Sequence, residues 1–435
     1  VNGVTMANPL NWSLVRGPLP IVVTVLGLCC LALLLARRGR TWWTWVVPIA
    51  AVAAGGLAYG VKYASDNWVK PFPDALPDSL IAWGGATLLA AGLAGAAFPR
   101  LRWRGRVAVL LAVLPVLAMS ALQINKVYAF YPTLRAALGM AVKTTEFRPG
   151  DRTLITAPAG KALSDVWRPP AGMPTQGTVS EVEIPGTVSG WKPRTARVYL
   201  PPAYQSTPRA QLPVLVLLAG QPGSTADWFT FGLKERLDRY ANTHDGLAPV
   251  VVFPDDLGTV PQNPLCMDSK LGNVETYLKT DVPAWVRANL QVNPNARSWV
   301  IGGYSHGGTC ALQLGVRAPE VYPSFIDISG QREPTVGNHR DTVDAVFDGD
   351  AAKFAEYNPL DILRTRRFPD SAAVIAVGLK DRVYLPEQRE VAAACQKAGI
   401  AVKFIERPGG HDAIVWLDSL DQSLPWLAQR TGMTH

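Results

Sequence analysis

Charge is scarce in this sequence. Charged residues make up 17% of the 435, and the stretches 18–36, 41–61, 79–98 and 107–125 contain none. Chemistry-bearing side chains are also few, with five histidines and five cysteines. The histidines are scattered and no cysteines have the short paired spacing of zinc ligands, so neither a metal nor another cofactor is expected. The formal net charge of +8 does not argue for nucleic acid. Much of it sits in RRGR (37–40) and PRLRWRGR (99–106), short loops between apolar stretches. No basic stripe interleaved with aromatics remains, so a nucleic-acid partner is not expected.

The charge-free stretches point to a lipid bilayer as the first partner. Each is long enough to cross a hydrocarbon core of ~30 Å at about 1.5 Å per residue. In lipid the backbone must satisfy its own hydrogen bonds, so all four should be helical. Buried helices of a soluble bundle would carry a polar stripe, and these have almost none. Arginine-rich loops stay in the cytoplasm, whereas residues 62–78 set Lys62 and Lys70 against Asp66, Asp74 and Asp78. The expected arrangement is a multi-pass protein of a bacterial cell membrane. Its N-terminus and everything after 126 lie on the extracytoplasmic side. Only Arg16 precedes the first stretch and no A-x-A-like site ends it, so it reads as an anchor and not as a cleaved signal peptide.

Three regions follow: a transmembrane region over 1–126, a stalk over 127–176, and an α/β domain over 177–435. The stalk opens with an amphipathic stretch (133–147) suited to a lipid surface and continues rich in Pro, Gly and Thr. From 177 onward, short apolar runs alternate with helical patterns. Strands are expected at 178–186, 195–202, 212–220, 248–254, 298–303, 324–329, 372–378 and 401–406. Helices are expected near 226–241, 277–290, 306–317, 386–398 and 412–429. This alternation predicts a doubly wound, mostly parallel sheet covered on both faces.

Gly303-Tyr304-Ser305-His306-Gly307 lies between an expected strand and an expected helix. That context turns a common Gly-x-Ser-x-Gly into a nucleophile elbow, with the Ser305 hydroxyl thrust out at the strand end. A serine needs a base. His411, in PGGHDAIVW (408–416), follows the last expected strand and precedes the last helix. Asp381 follows the strand at 372–378 and is the expected orienting acid. Glu387 is the second choice, and Asp412 lies too close in chain to His411. An oxyanion would be held by backbone N–H groups, one from His306 and one from Gln221 in Gly220-Gln221-Pro222-Gly223, where Pro222 has none to give.

Several segments resemble one family: PDDLG (254–258), CMDSKLGNVETYLKTDVPAWV (266–286), IGGYSHGGTCALQLGVRAPEVYPSFIDISGQREP (301–334) and PGGHDAIVWLDSLDQSLPWLA (408–428). They are similar to the putative esterase family, which includes esterase D and the antigen 85 mycolyltransferases. The resemblance spans roughly 177–430. It implies an α/β-hydrolase acting on esters through a serine triad, matches Ser305 and His411, and makes Asp381 the natural acid. Ala219 departs from the histidine that many hydrolases carry before the oxyanion glycine.

Cys266 and Cys310 are candidates for a disulfide that would brace the active-site loop, or else two buried thiols, with Cys395 unpaired either way. Asp256, Asp268 and Asn273 are candidates to line the substrate cleft, and Trp416 and Trp426 to pack in the core. The expected activity is hydrolysis of an envelope lipid or lipid-linked ester. Transfer of the acyl group to a sugar or glycan is the alternative. A non-catalytic membrane protein that binds or senses lipid is the alternative of another class.

Overall fold

The computed structural model describes residues 8–36, 39–69, 75–140, 142–148, 150–259 and 263–435. Arg37, Arg38, Lys70 and Asp74, used above to orient the chain, lie outside the described residues. The chain forms two compact units, Val1–Met140 and Ala141–His435.

The first unit holds α1 (Pro18–Leu35), α2 (Val47–Ala64), α3 (Asp78–Ala97) and α4 (Trp103–Tyr128). With their flanking turns, four helical stretches among the described residues are long and apolar enough to cross a membrane. Their outward faces carry Val22, Leu26, Leu33, Ile49, Val52, Leu57, Leu110 and Leu114, all exposed. A surface in water rarely exposes so large a contiguous apolar area. Between α1 and α4 the Gln123 amide donates to Thr24 Oγ1 at 2.8 Å, a polar tie of the kind that joins helices in lipid.

The second unit is built on an eight-stranded sheet. Its strands are β1 (Thr178–Val182), β2 (Ala196–Leu200), β3 (Val214–Leu218), β4 (Val250–Phe253), β5 (Trp299–Tyr304), β6 (Ser324–Ile328), β7 (Ala372–Gly378) and β8 (Ala401–Arg407). Their order across the sheet is β8-β7-β6-β5-β3-β4-β2-β1. Only β2 runs against its neighbours, pairing antiparallel with both β1 and β4. Every residue of β3, β5, β6 and β7 is buried. This is why they read as continuous apolar runs: helices cover both faces.

All eight expected strands are present, and α7 below begins where its helical pattern began. The covering helices include α5 (Leu233–Asn242), α6 (Val282–Asn289), α7 (His306–Arg317), α9 (Tyr384–Lys397) and α10 (Ala413–Arg430), while α8 (His339–Phe347) lies off the main core. The helix expected from 226 breaks at Gly232, whose φ of 100° ends one helix and starts α5. An excursion between β6 and β7, including α8, was not anticipated. Val343, Val346, Phe347 and Phe354 from it pack on Leu265 and Met267 in a cluster of their own.

Much of the expected stalk belongs to the α/β unit. Leu154–Ile155 pairs with Arg209–Ala210. Leu163 donates its N–H to the Gly432 carbonyl at 2.9 Å, and Trp167 donates its indole N–H to the Asp245 carbonyl at 2.8 Å. Trp167 is 1% exposed within the main core. The Pro- and Gly-rich composition conceals these few anchoring side chains. Trp167→Ala should therefore destabilise the α/β unit by about 3–5 kcal/mol, the usual cost of emptying a buried aromatic site. Denaturant unfolding of the full chain in detergent measures this; an unchanged midpoint would return 142–176 to the role of a passive tether.

Candidate active site

The chain passes from β5 to α7 through one residue, Ser305, at φ 53° and ψ −120°. Such a backbone state costs a non-glycine residue about 1–3 kcal/mol and persists only where its surroundings over-determine it. Here the Ser305 N–H donates to the Ile328 carbonyl at 2.8 Å, and the Ser305 carbonyl accepts from Thr309 N–H at 3.0 Å. Strand and helix approach so closely that a Cβ on Gly303 would overlap the Gly307 carbonyl carbon. One on Gly307 would lie 2.6 Å from the Ala219 oxygen. The two glycines are required by contact, and the strained serine follows from them.

Behind the turn, Tyr304 donates its hydroxyl to Asp227 Oδ2 at 2.9 Å. Its ring stacks on Trp416 at 4.2 Å and meets Trp228 edge-on at 5.1 Å. Burial raises the Asp227 carboxyl above the usual carboxylate range, although bonds from Ser224 and Tyr304 oppose this.

His411 sits in the loop between β8 and α10. Its Nε2 lies 3.0 Å from Ser305 Oγ and its Nδ1 lies 2.9 Å from Asp381 Oδ2. The tautomer that satisfies both bonds carries its proton on Nδ1, donates to Asp381 and accepts from the serine hydroxyl. The ring is held between Tyr384, stacked at 4.5 Å, and Trp416, edge-on at 5.1 Å. Asp381 is buried and also accepts from Tyr384 N–H at 3.0 Å. The loops of acid and base are tied through their backbones: Leu379 N–H donates to the Arg407 carbonyl and Lys380 N–H to the Gly409 carbonyl. The other acids are otherwise engaged. Asp412 caps α10 by accepting from Ile414 and Val415 N–H, and Glu387 accepts from Arg332 N–H.

For charge on a carbonyl oxygen, α7 presents free N–H groups, because its first turn has no intrahelical acceptors. His306 is the first residue of α7. The loop after β3 reaches the same place, since a Cβ on Gly220 would lie 3.2 Å from Ser305 Cβ. Gln221 follows, its side-chain oxygen accepting from Asn263 Nδ2 at 2.6 Å.

The three cleft candidates are bonded elsewhere. Asp268 accepts from Thr276 N–H and its hydroxyl, within its own turn, and Asn273 donates to the Ser189 carbonyl of a distant segment. Asp256 is buried, with Oδ2 3.1 Å from His306 Nε2. The disulfide between Cys266 and Cys310 lies against the same ring. Sequence reasoning offered the Cys266–Cys310 disulfide as one alternative but used only the His306 backbone, and did not bring the ring and Asp256 to it. The one available signal was that His306 and Cys310 stand four residues apart on one helix, on one face. Trp416 is buried as expected of a core residue; its contact with His411, like that of Tyr384, was not foreseen.

An eight-stranded sheet in this order, with a strained serine after β5 and a histidine after β8, defines an α/β-hydrolase. The chain belongs to the putative esterase family, whose model matches residues 190–427, and is a carboxylic ester hydrolase. It is 34% identical over 405 residues to an uncharacterized protein of Corynebacterium glutamicum, covering 89% of this chain and 90% of that one. So long an alignment extends into the apolar N-terminal region. A ferulic acid esterase structure is similar over 60% of this chain and 100% of its own, at 21% identity and a TM-score of 0.52. An S-formylglutathione hydrolase from Agrobacterium tumefaciens matches over 59% of this chain and 97% of its own, at 20% identity and a TM-score of 0.49.

One buried acid near the elbow makes stability depend on pH. Asp327 on β6 pairs in register with Gly303 and accepts from Gly330 N–H and the Gln388 amide. Burial pushes its carboxyl from an ordinary 3.8 up to about 7, against the pull of those two bonds. With the folded value raised, its favourable contribution is complete below the ordinary value and is lost as pH rises through about 7. Asp327→Asn removes the titration. Between about pH 5 and about pH 8 the melting temperature of wild type should therefore fall relative to that of the variant. A constant difference between the two would mean that Asp327 keeps one protonation state throughout.

Proposed function

We propose that this protein is a membrane-anchored serine carboxylester hydrolase whose active unit faces the extracytoplasmic side and whose substrate is an envelope lipid or lipid-linked ester. The observation that carries the chemistry is the relay from Ser305 Oγ through His411 to Asp381, at 3.0 and 2.9 Å. Ser305 Oγ attacks the ester carbonyl while His411 Nε2 takes its proton, and Asp381 stabilises the imidazolium that forms. The N–H groups of His306 and Gln221 receive the developing oxyanion. The imidazolium returns its proton to the departing alcohol, leaving an acyl-serine. Water, deprotonated by His411, attacks that acyl group; the carboxylic acid leaves and the hydroxyl is restored. No cofactor enters these steps.

The four apolar helices support a lipid setting, and the arginines flanking them support the assignment of sides. A catalytic unit tethered to a bilayer meets substrates that share the same surface, which favours an ester with a lipid portion.

A fluorophosphonate probe should label wild type and fail to label Ser305→Ala. Ester turnover should fall roughly 10⁴-fold or more in Ser305→Ala and His411→Ala, as when a member of such a relay is removed. A loss of only a few fold in Ser305→Ala would sink the mechanism. Sidedness has its own check. A membrane-impermeant form of the probe should label Ser305 in intact spheroplasts, and labelling only after lysis would place the unit in the cytoplasm. Comparing the lipids of cells carrying wild type or Ser305→Ala identifies the ester; an acylated sugar lost from the variant would point to transfer.

A further inference from the structure

Beside the elbow, four groups able to ligate a metal converge: Asp256, Cys266, His306 and Cys310, all buried, with ligand atoms within 4.8 Å of one another. They come from three places in the chain. Asp256 follows β4, Cys266 comes ten residues later, and His306 and Cys310 share one face of the first turns of α7. The His306 Nε2–Asp256 Oδ2 separation is 3.1 Å. The sulfurs stand 3.5 and 3.3 Å from His306 Nε2 and 3.3 and 3.6 Å from Asp256 Oδ2. Around one zinc ion, with bonds of about 2.3 Å to sulfur and about 2.0 Å to nitrogen or oxygen, tetrahedral donors lie roughly 3.3–3.6 Å apart along these edges. Five of the six edges of a coordination tetrahedron are thus already near length. The sixth joins the two sulfurs, which the disulfide holds together.

We propose that Asp256, Cys266, His306 and Cys310 form a tetrahedral site for a thiophilic divalent cation of the zinc class once the disulfide is reduced. The cluster then has two mutually exclusive states, a disulfide and a metal chelate. Conversion consumes two equivalents of a thiol: the Cys266–Cys310 bond takes up two electrons and two protons, and the thiol leaves as its own disulfide. The cation then displaces both thiol protons and binds two thiolates, the Asp256 carboxylate and neutral imidazole, which leaves the site one net negative charge. Arg194, which interacts electrostatically with Asp256, supplies positive charge nearby. Without a cation, reduction would leave two thiols, a carboxylate and an imidazole crowded in a volume closed to water, an arrangement that a chelate resolves. The site shares His306 with the ester chemistry but uses its ring and not its backbone N–H, so it stands whether or not that reading holds.

The test uses the full chain in detergent, either oxidised or treated with a phosphine reductant that is then removed. Zn²⁺ is titrated against a chromophoric chelator, and Co²⁺ is added in parallel for its spectrum. The reduced protein should bind one equivalent. Its Co²⁺ form should show thiolate-to-metal charge transfer and the intense ligand-field bands of a tetrahedral site. Reoxidation should release the ion as the disulfide reforms. Asp256→Asn and Cys310→Ser should each weaken binding at least about 100-fold, beyond the usual effect of outer-shell changes. Equal uptake by oxidised and reduced wild type would overturn the site, as would an undiminished affinity in Asp256→Asn. The redox comparison is made on an unmutated chain, so misfolding of a variant cannot imitate either result.

Discussion

The close passage of β5 against α7 is the constraint on which the rest of the α/β unit turns. Two glycines let the strand and helix backbones touch, and the residue between them has no room for an ordinary conformation. The strain at Ser305 is held by its bond to the Ile328 carbonyl on the neighbouring strand. The sheet itself therefore fixes the hydroxyl, instead of a loop that could relax. The same passage starts α7 beside Ser305, so unpaired N–H groups face the point where an ester oxygen would gain charge. It also puts the His306 ring on the buried side of the helix, beside Asp256 and the disulfide.

The two units solve the problem of burial in different ways. In the α/β unit the central strands are buried on both faces, and polar groups near the elbow bring partners inside: Tyr304 with Asp227, Asp327 with Gln388 and Gly330. In the helical unit most apolar side chains point outward, and ties such as Gln123 to Thr24 are few. Such outward apolar faces would suit an apolar solvent, in which packing replaces the hydrophobic effect between helices.

What could be read from the sequence was what is local. The alternation of apolar runs revealed the eight strands, because buried parallel strands must be apolar throughout. Gly303, Ser305 and Gly307 announced the elbow, and His411 was legible because it follows the last strand after two glycines. Asp381 could be chosen by its place after β7, although nothing in its own neighbours distinguished it from Glu387. Contacts between distant segments stayed hidden. Asp256 read as a candidate for the substrate cleft, and its pairing with His306, fifty residues along the chain, appears only in the fold. Trp167 looked like part of a tether because its partners are Asp245 and the core, far along the sequence. The excursion carrying α8 was missed for a related reason: it packs on its own small cluster, apart from the main core whose pattern guided the reading.

The backbone ties between the loops after β7 and β8 have a mechanical consequence. Asp381 and His411 sit in the loops that follow two adjacent parallel strands at one edge of the sheet, joined through Leu379–Arg407 and Lys380–Gly409. Ser305 stands two strands inward, beyond β6. Flexing of that edge would alter the gap between imidazole and hydroxyl while carrying acid and base together as one rigid arm. The imidazole would then keep its orientation through each swing, arriving at the serine with its accepting nitrogen already facing forward.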